Sequence, residues 1–175
     1  MAGADFRISI EGDEAINASL ARLAARFGNL TPLMDTIGMI LEVDAEDNFE
    51  GEHTPAGLPW PKSLRVLEHG GKTLQLSRRL RLSITHRATA SSVEVGTNVV
   101  YASRHQQGFH GPEQVASHKR TMRSVFGVKL LEPIEVTVGA FTRQANTPAR
   151  PFLGMSAGAR EDIEAAVAEY AGAEQ

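Results

Sequence analysis

Phe6, Ile8 and Ile10 alternate with Arg7, Ser9 and Glu11, and a period of two predicts a short half-buried strand. Beyond Gly12 the period changes. Ile16, Leu20, Leu23 and Phe27 recur at helical spacing, with Ala24 in the same stripe and Gly28-Asn29 as the stop. A second helix opens at Thr31-Pro32, with Thr31 as N-cap and the proline in the first turn. Its expected buried face is Leu33, Ile37, Leu41, Ala45 and Phe49, with Ile40 alongside. Glu42, Glu46 and Asp47 lie outside that face, and Glu50 and Glu52 prolong the acidic run. The run reads either as a solvated helix face or as a surface that meets a basic neighbouring subunit.

From Glu52 to Lys72 the periodicity lapses into a Gly- and Pro-rich loop around Thr54-Pro55-Ala56-Gly57-Leu58-Pro59-Trp60-Pro61. Trp60, the sole tryptophan, is expected to plug the core beneath the loop, with an interface anchor as the alternative. Thr73 to Arg87 fits both periods. A helical turn after Ser77 that gives way to a strand near Ser83 is expected, with Ser92–Val95 as its hairpin partner and Gly96 closing the strand. Tyr101–Gln107 reads as a short helix stopped by Gly108. Gly111–Gly127 is polar and basic, with Val115, Met122 and Phe126 as a weak apolar stripe, and is expected to be a loop with one or two helical turns. Ile134, Val136, Val138 and Ala140 alternate with Glu135, Thr137, Gly139 and Phe141, a further strand. The last helix should run from about residue 157 to 170, with Ile163, Val167 and Tyr170 inward and Glu161 and Asp162 near its positive end.

The stretch that organises the chain precedes that helix: Asn146-Thr147-Pro148-Ala149-Arg150-Pro151-Phe152-Leu153-Gly154. Pro148 and Pro151 fix their own φ and push Thr147 and Arg150 out of the α region. The result is a stiff extended arm ending in two large apolar side chains that need a pocket. Gly154 permits a turn, and Ser156 can cap the last helix. Arg150, held between the prolines, is expected to pair with a carboxylate or carbonyl groups of its own chain; a contact to a neighbouring subunit is the alternative.

Composition narrows the class. With 175 residues, 42% of them hydrophobic, the chain can fill one core, so a single domain over residues 1–175 is expected, with a basic excursion at about 109–131. A net charge of −3 is not the basic balance of a dedicated nucleic-acid binder. The absence of cysteine rules out disulfides, thiolate metal sites and a cysteine nucleophile. The opening residues, Met1–Phe6, have neither a basic region nor an apolar run, so no signal peptide is expected. No stretch is apolar for long enough to span a membrane.

Catalytic patterns are missing. None of His53, His69, His86, His105, His110 and His118 has the spacing of a zinc protease. His105 and His110 flank Gly108 without a third ligand nearby, so no metal is expected. Gly70-Gly71-Lys72-Thr73 ends like a phosphate loop, but Val66 stands where that motif needs a glycine, and a turn is the better reading. No Gly-x-Ser-x-Gly elbow occurs. Catalytic residues, cofactors and metals are therefore all expected to be none. Arg78, Arg79, Arg81 and Arg87 form one cationic cluster and Lys119, Arg120 and Arg123 a second. Solvated or intersubunit arginines are preferred over non-specific DNA contact, because no aromatic residue interleaves with them.

Several motifs together resemble the phage virion morphogenesis family, which includes tail completion proteins of P2-like phages and Mu-like morphogenesis proteins. They are Thr54–Trp60; Leu76-Ser77-Arg78-Arg79-Leu80-Arg81-Leu82-Ser83-Ile84; Val93-Glu94-Val95-Gly96-Thr97-Asn98; Tyr101-Ala102 with His105-Gln106-Gln107-Gly108; and Pro148–Gly154 followed by a helix. Phe109–Asn146 departs from the pattern, being long and variable among relatives, so no role transfers to His118 or Arg123. The resemblance implies a non-enzymatic assembly protein of the head–tail junction or the head-proximal tail end. It would be made in the host cytoplasm and carried in the virion beside other neck and tail proteins. Related proteins form rings around the DNA channel, often sixfold, which makes a homo-oligomeric ring the expected assembly. The alternatives are a head-assembly factor absent from the mature particle and a DNA-binding module. The expected fold is α+β: an antiparallel sheet of about four strands, near Phe6, Ile84, Val93 and Val136, packed with two N-terminal helices and a C-terminal helix. Trp60, Arg79, Arg81, Tyr101, Arg150, Phe152 and Leu153 are the structural and interface candidates.

Overall fold

The computed structural model of the protein describes residues 6–7, 14–125 and 128–172. They fall into two compact units, one of residues 1–108 and 148–175, the other of residues 109–147.

The first unit begins with β1 (Phe6–Arg7), α1 (Glu14–Phe27) and α2 (Thr31–Gly51). Ile8 and Ile10 of the expected first strand lie outside the described residues. Gly28, at φ +72°, ends α1 as its lack of a side chain allows. The start of α2 differs from expectation. Leu30 takes the cap position, and Asn29 Oδ1 accepts from the Thr31 amide at 3.0 Å and the Thr31 hydroxyl at 2.7 Å. The Asn29 carboxamide thus closes a local turn on Thr31, and α2 starts without the side-chain cap expected of the Thr31 hydroxyl. α2 buries Leu33, Met34, Ile37, Ala45, Asn48 and Phe49.

The loop after α2 holds a short helix, α3 (Leu64–His69), which periodicity did not reveal. Ser63 caps it by accepting from the Val66 amide. A 3-10 turn at Arg81–Ser83 then leads into β2 (Ile84–Ala88), as expected. β2 pairs antiparallel with β3 (Val93–Thr97), Ile84 opposite Thr97, and β1 adds to the far edge of β3. α4 (Ala102–Gln107) follows and stops at Gly108, at φ +79°. α5 (Ala157–Gly172), introduced below with the arm that precedes it, completes the unit.

Two apolar clusters share α2. Its N-terminal half packs Leu33, Met34 and Ile37 with Leu23, Ile163 and Val167 of α1 and α5. Its C-terminal half packs Ala45 and Phe49 with Trp60, Leu80, Val99, Ala102, Phe152 and Leu153.

The second unit is all β: β4 (Phe109–Val115), β5 (His118–Val125), β6 (Val128–Val138) and β7 (Phe141–Thr147). β4 pairs with β7 and β5 with β6, both antiparallel. The expected loop with helical turns is therefore a pair of strands. Phe109, Gly111, Glu113 and Val115 of β4 are half-buried and alternate with exposed His110, Pro112 and Gln114, a period of two carried by few apolar residues. The strand at Val136 forms, but it joins β5 rather than the sheet of β1–β3. An extended segment a few residues away closes a ladder at less entropic cost than a distant sheet. The class is α+β with antiparallel strands, as expected, and among the described residues the sheet of the first unit has three strands.

Candidate functional site

The arm of residues 148–154 docks in the first unit. Phe152 is 0% exposed and Leu153 5%. The Phe152 ring lies 5.1 Å from that of Phe49, and Phe49 meets Trp60 edge-on at 5.5 Å. Burial of two such side chains contributes roughly 1.5–3 kcal/mol each. An extended segment also brings backbone groups that must find partners. Here side chains supply them. Trp60 Nε1 donates to the Pro151 carbonyl at 2.9 Å. Asn48 Nδ2 donates to the Phe152 carbonyl at 3.3 Å. Gln106 Oε1 accepts from the amides of Phe152 and Leu153 at 2.9 and 3.1 Å, while its Nε2 donates to the Leu153 carbonyl at 2.7 Å. The Gln106 carboxamide thereby imitates a neighbouring strand.

Arg150 is 5% exposed. Its Nε donates to the Pro61 carbonyl and its amide to the His105 carbonyl, each at 2.6 Å. Burial holds the guanidinium pKa below its ordinary value. Burial, then the charges of Arg150 and Arg104, also lower that of His105. Gly154 lies against Pro55, where an added Cβ would sit 2.6 Å from Pro55 Cγ. Beyond it, the Ser156 hydroxyl donates to Asp44 Oδ1 and accepts from the Ala159 amide at 3.1 Å, capping α5. Asp44 Oδ2 also accepts from the Ser156 amide at 3.1 Å. Asp44 thus ties the end of the arm to α2.

Along the outer side of α2 lies an ionic seam. Arg81 donates to Glu46 Oε1 and Glu50 Oε2, each at 2.6 Å, and Lys72 reaches Glu50 Oε1 at 2.7 Å. Hydrogen bonds from Lys72 and Arg81 lower the Glu50 pKa. His86 sits between Asp35 and Glu42, 3.0 Å from each. Burial opposes its protonation, but the hydrogen bonds and charges of the two carboxylates prevail and raise its pKa. Its ring fills the space over Gly38, where a Cβ would stand 2.2 Å from Cδ2. The acidic helix and the arginine-rich segment, offered above as complements between subunits, therefore meet inside one chain at Arg81. Arg79 is exposed, and Tyr101 is exposed beside His105, ring centroids 5.9 Å apart. Among the described residues no three His, Cys, Asp or Glu are grouped to hold a metal ion, and no helix is long and apolar enough to cross a membrane.

Residues 12–171 match the model of the phage virion morphogenesis family. The chain belongs to that family. It is also 35% identical to a Mu-like prophage FluMu G protein 2 of Haemophilus influenzae over 103 residues, 59% of this chain and 70% of that protein. No solved structure matches. Within this family member, three of the motifs that carry the resemblance converge on one place. Trp60 comes from the first, Gln106 from the fourth, and Phe152 and Leu153 from the last, and all meet at the docked arm. Sequence reasoning placed Trp60, Arg150, Phe152 and Leu153 but missed Asn48, Gln106 and Asp44. Asn48 did carry a signal: it is a polar residue beside Phe49 in the apolar stripe of α2.

Proposed function

We propose that this chain is a structural component of the phage particle that completes the tail or joins it to the head. In this reading, copies assemble head to tail into a ring around the DNA channel, sixfold where the ring matches the tail. Other neck and tail proteins are its neighbours. It is made in the host cytoplasm and ends in the virion. The observation that carries the reading is the family match across residues 12–171. The docked arm supports it: where the motifs converge, Trp60, Phe152 and Leu153 are buried and Trp60 and the half-buried Gln106 hold backbone, which is the work of a structural part rather than of a catalyst. A phage lacking the protein is expected to package DNA and to leave heads and tails unjoined in the lysate, visible by electron microscopy. Empty or misassembled heads would instead favour a head-assembly factor.

A second reading, non-specific contact with channel DNA, is favoured by Arg78, Arg79 and Arg87, all exposed on the first unit. It requires retention on DNA of unrelated sequence that falls steeply with rising salt. Salt-independent behaviour would remove it.

A further inference from the structure

The second unit is a hairpin of two ladders in series, interrupted at residues 116–117 and 139–140. Among the described residues each ladder has two strands. Such ladders are marginal in water until a helix or another strand packs on them. Residues opposite each other share a face. Met122 lies opposite Ile134, Arg120 opposite Val136 and His118 opposite Val138. Ile134 and Val136 are exposed, and Leu131, in the register shift between Ile134 and Lys129, is 106% exposed. From His118 to Lys129 the chain carries Lys119, Arg120, Arg123 and Lys129 and no acidic residue. Over residues 109–147 there are five Lys and Arg against three Asp and Glu; the rest of the chain has thirteen against eighteen. The hairpin is basic and the remainder acidic.

A complementary surface exists on the first unit. α5 exposes Glu161, Asp162, Glu164 and Glu169, and Arg160 beside them pairs with Glu164 at 3.1 Å. Next to these acids runs an open groove of about 530 Å³ between α1 and α5, lined by Leu23, Val167, Ala168 and Ala171, with Arg22 and Glu164 among its polar residues. The acids of α2 are a poorer receiver, because Lys72, Arg81 and His86 of their own chain already engage them.

We propose that the hairpin of one copy docks on the outer face of α5 of a second copy, its basic residues against the α5 carboxylates and Leu131 in the groove beside them. The inference rests on the ring reading above and names the two surfaces that build the ring. They are different surfaces, so the contact is heterologous and each copy offers both. A helix covering an apolar hairpin face also provides the packing that a two-stranded ladder lacks.

The test is charge reversal in the full-length chain, with mass followed by light scattering over a range of concentrations. The wild type is expected to assemble. Arg120→Glu with Arg123→Glu, or Glu161→Lys with Asp162→Lys, should each raise the concentration needed for assembly roughly tenfold or more. Both pairs together should restore it. Circular dichroism and Trp60 fluorescence confirm that each variant is folded. Leu131→Ser, at a side chain exposed in the monomer, should weaken assembly in the same direction. A wild type that assembles and is indifferent to both reversals overturns the inference and leaves the ring intact. A wild type monomeric at every concentration overturns both. Reversals that cost retention on DNA but leave the mass unchanged would make the hairpin a nucleic-acid contact, which also overturns the inference.

Discussion

The arm and the hairpin are both extended, and both carry large apolar side chains, yet they end in opposite states. Phe152 and Leu153 are buried, whereas Leu131, Ile134 and Val136 are exposed. The difference lies in how each segment satisfies its backbone. The hairpin strands bond one another, and apolar residues of β6 stay exposed. Pro148 and Pro151 deprive the arm of two amide donors, and the Arg150 amide, the Pro151 carbonyl and the amides and carbonyls of Phe152 and Leu153 go to the His105 carbonyl and to the side chains of Trp60, Asn48 and Gln106. Once backbone is met by side chains from a core, the adjoining apolar residues enter that core. A segment that answers its own hydrogen bonds needs no such core, and the apolar residues of β6 stay exposed.

The largest expected break in this contrast is Phe152→Ala, which should cost about 3–5 kcal/mol where the slot cannot collapse. Leu131→Ala, compared under monomeric conditions, should change the urea midpoint little. Equal midpoints for the two variants would erase the distinction between docked arm and open hairpin. Trp60 reports directly on docking, since its indole lies under the arm.

Gln106→Ala comes next. It strands the amides of Phe152 and Leu153 and the Leu153 carbonyl, at a cost of about 1–3 kcal/mol per buried group left unmet and less where water enters. Gln106→Glu keeps the acceptor and loses the donor, so it should fall between wild type and Ala in thermal unfolding. An Ala variant as stable as the wild type would mean that the carboxamide does not hold the arm.

A smaller effect separates two histidines by pH. The folded-state pKa of His86 is raised, so its contribution is complete below the ordinary histidine value and is lost as pH rises through the folded one. His86→Gln should therefore destabilise by about 1 kcal/mol near pH 5.5 and by less near pH 8.5. The folded-state pKa of His105 is lowered, so its contribution is present at high pH and lost as pH falls. His105→Gln should flatten the acid side of the stability profile. Urea titrations across that range would show a wrong sign at once.

Much of the first unit was legible because its periods are clean. Leu33, Ile37, Ala45 and Phe49 gave α2, and two prolines gave the arm. α3 escaped because Leu64 and Leu67 are exposed and Val66 alone is buried, leaving no stripe to read. β4 and β5 escaped because a two-stranded ribbon with few apolar residues puts little constraint on composition. Trp60, Phe152 and Leu153 could be placed by size and rigidity. Gln106 could not, because an amide that binds backbone has the same sequence signature as one that binds water; Asn48 was marked only by its place in the apolar stripe of α2. Arg81 was legible as a cation but not as the partner of Glu46 and Glu50, a pairing that depends on the 3-10 turn that aims it.

The arm meets Trp60 and Asn48 across separations of 91 and 104 residues. During synthesis at about 5–20 residues per second, that interval lasts on the order of 5–20 s. Phe49 and Trp60 come early in it, Leu80, Val99 and Ala102 of the same slot follow, and the plug comes last. The nascent protein therefore passes through a stage at which Phe49 and Trp60 are uncapped, and closure waits for a residue pair that emerges only after the whole hairpin. Closure of the aromatic slot is therefore set by the arrival of Phe152 and Leu153, not by the earlier completion of α2.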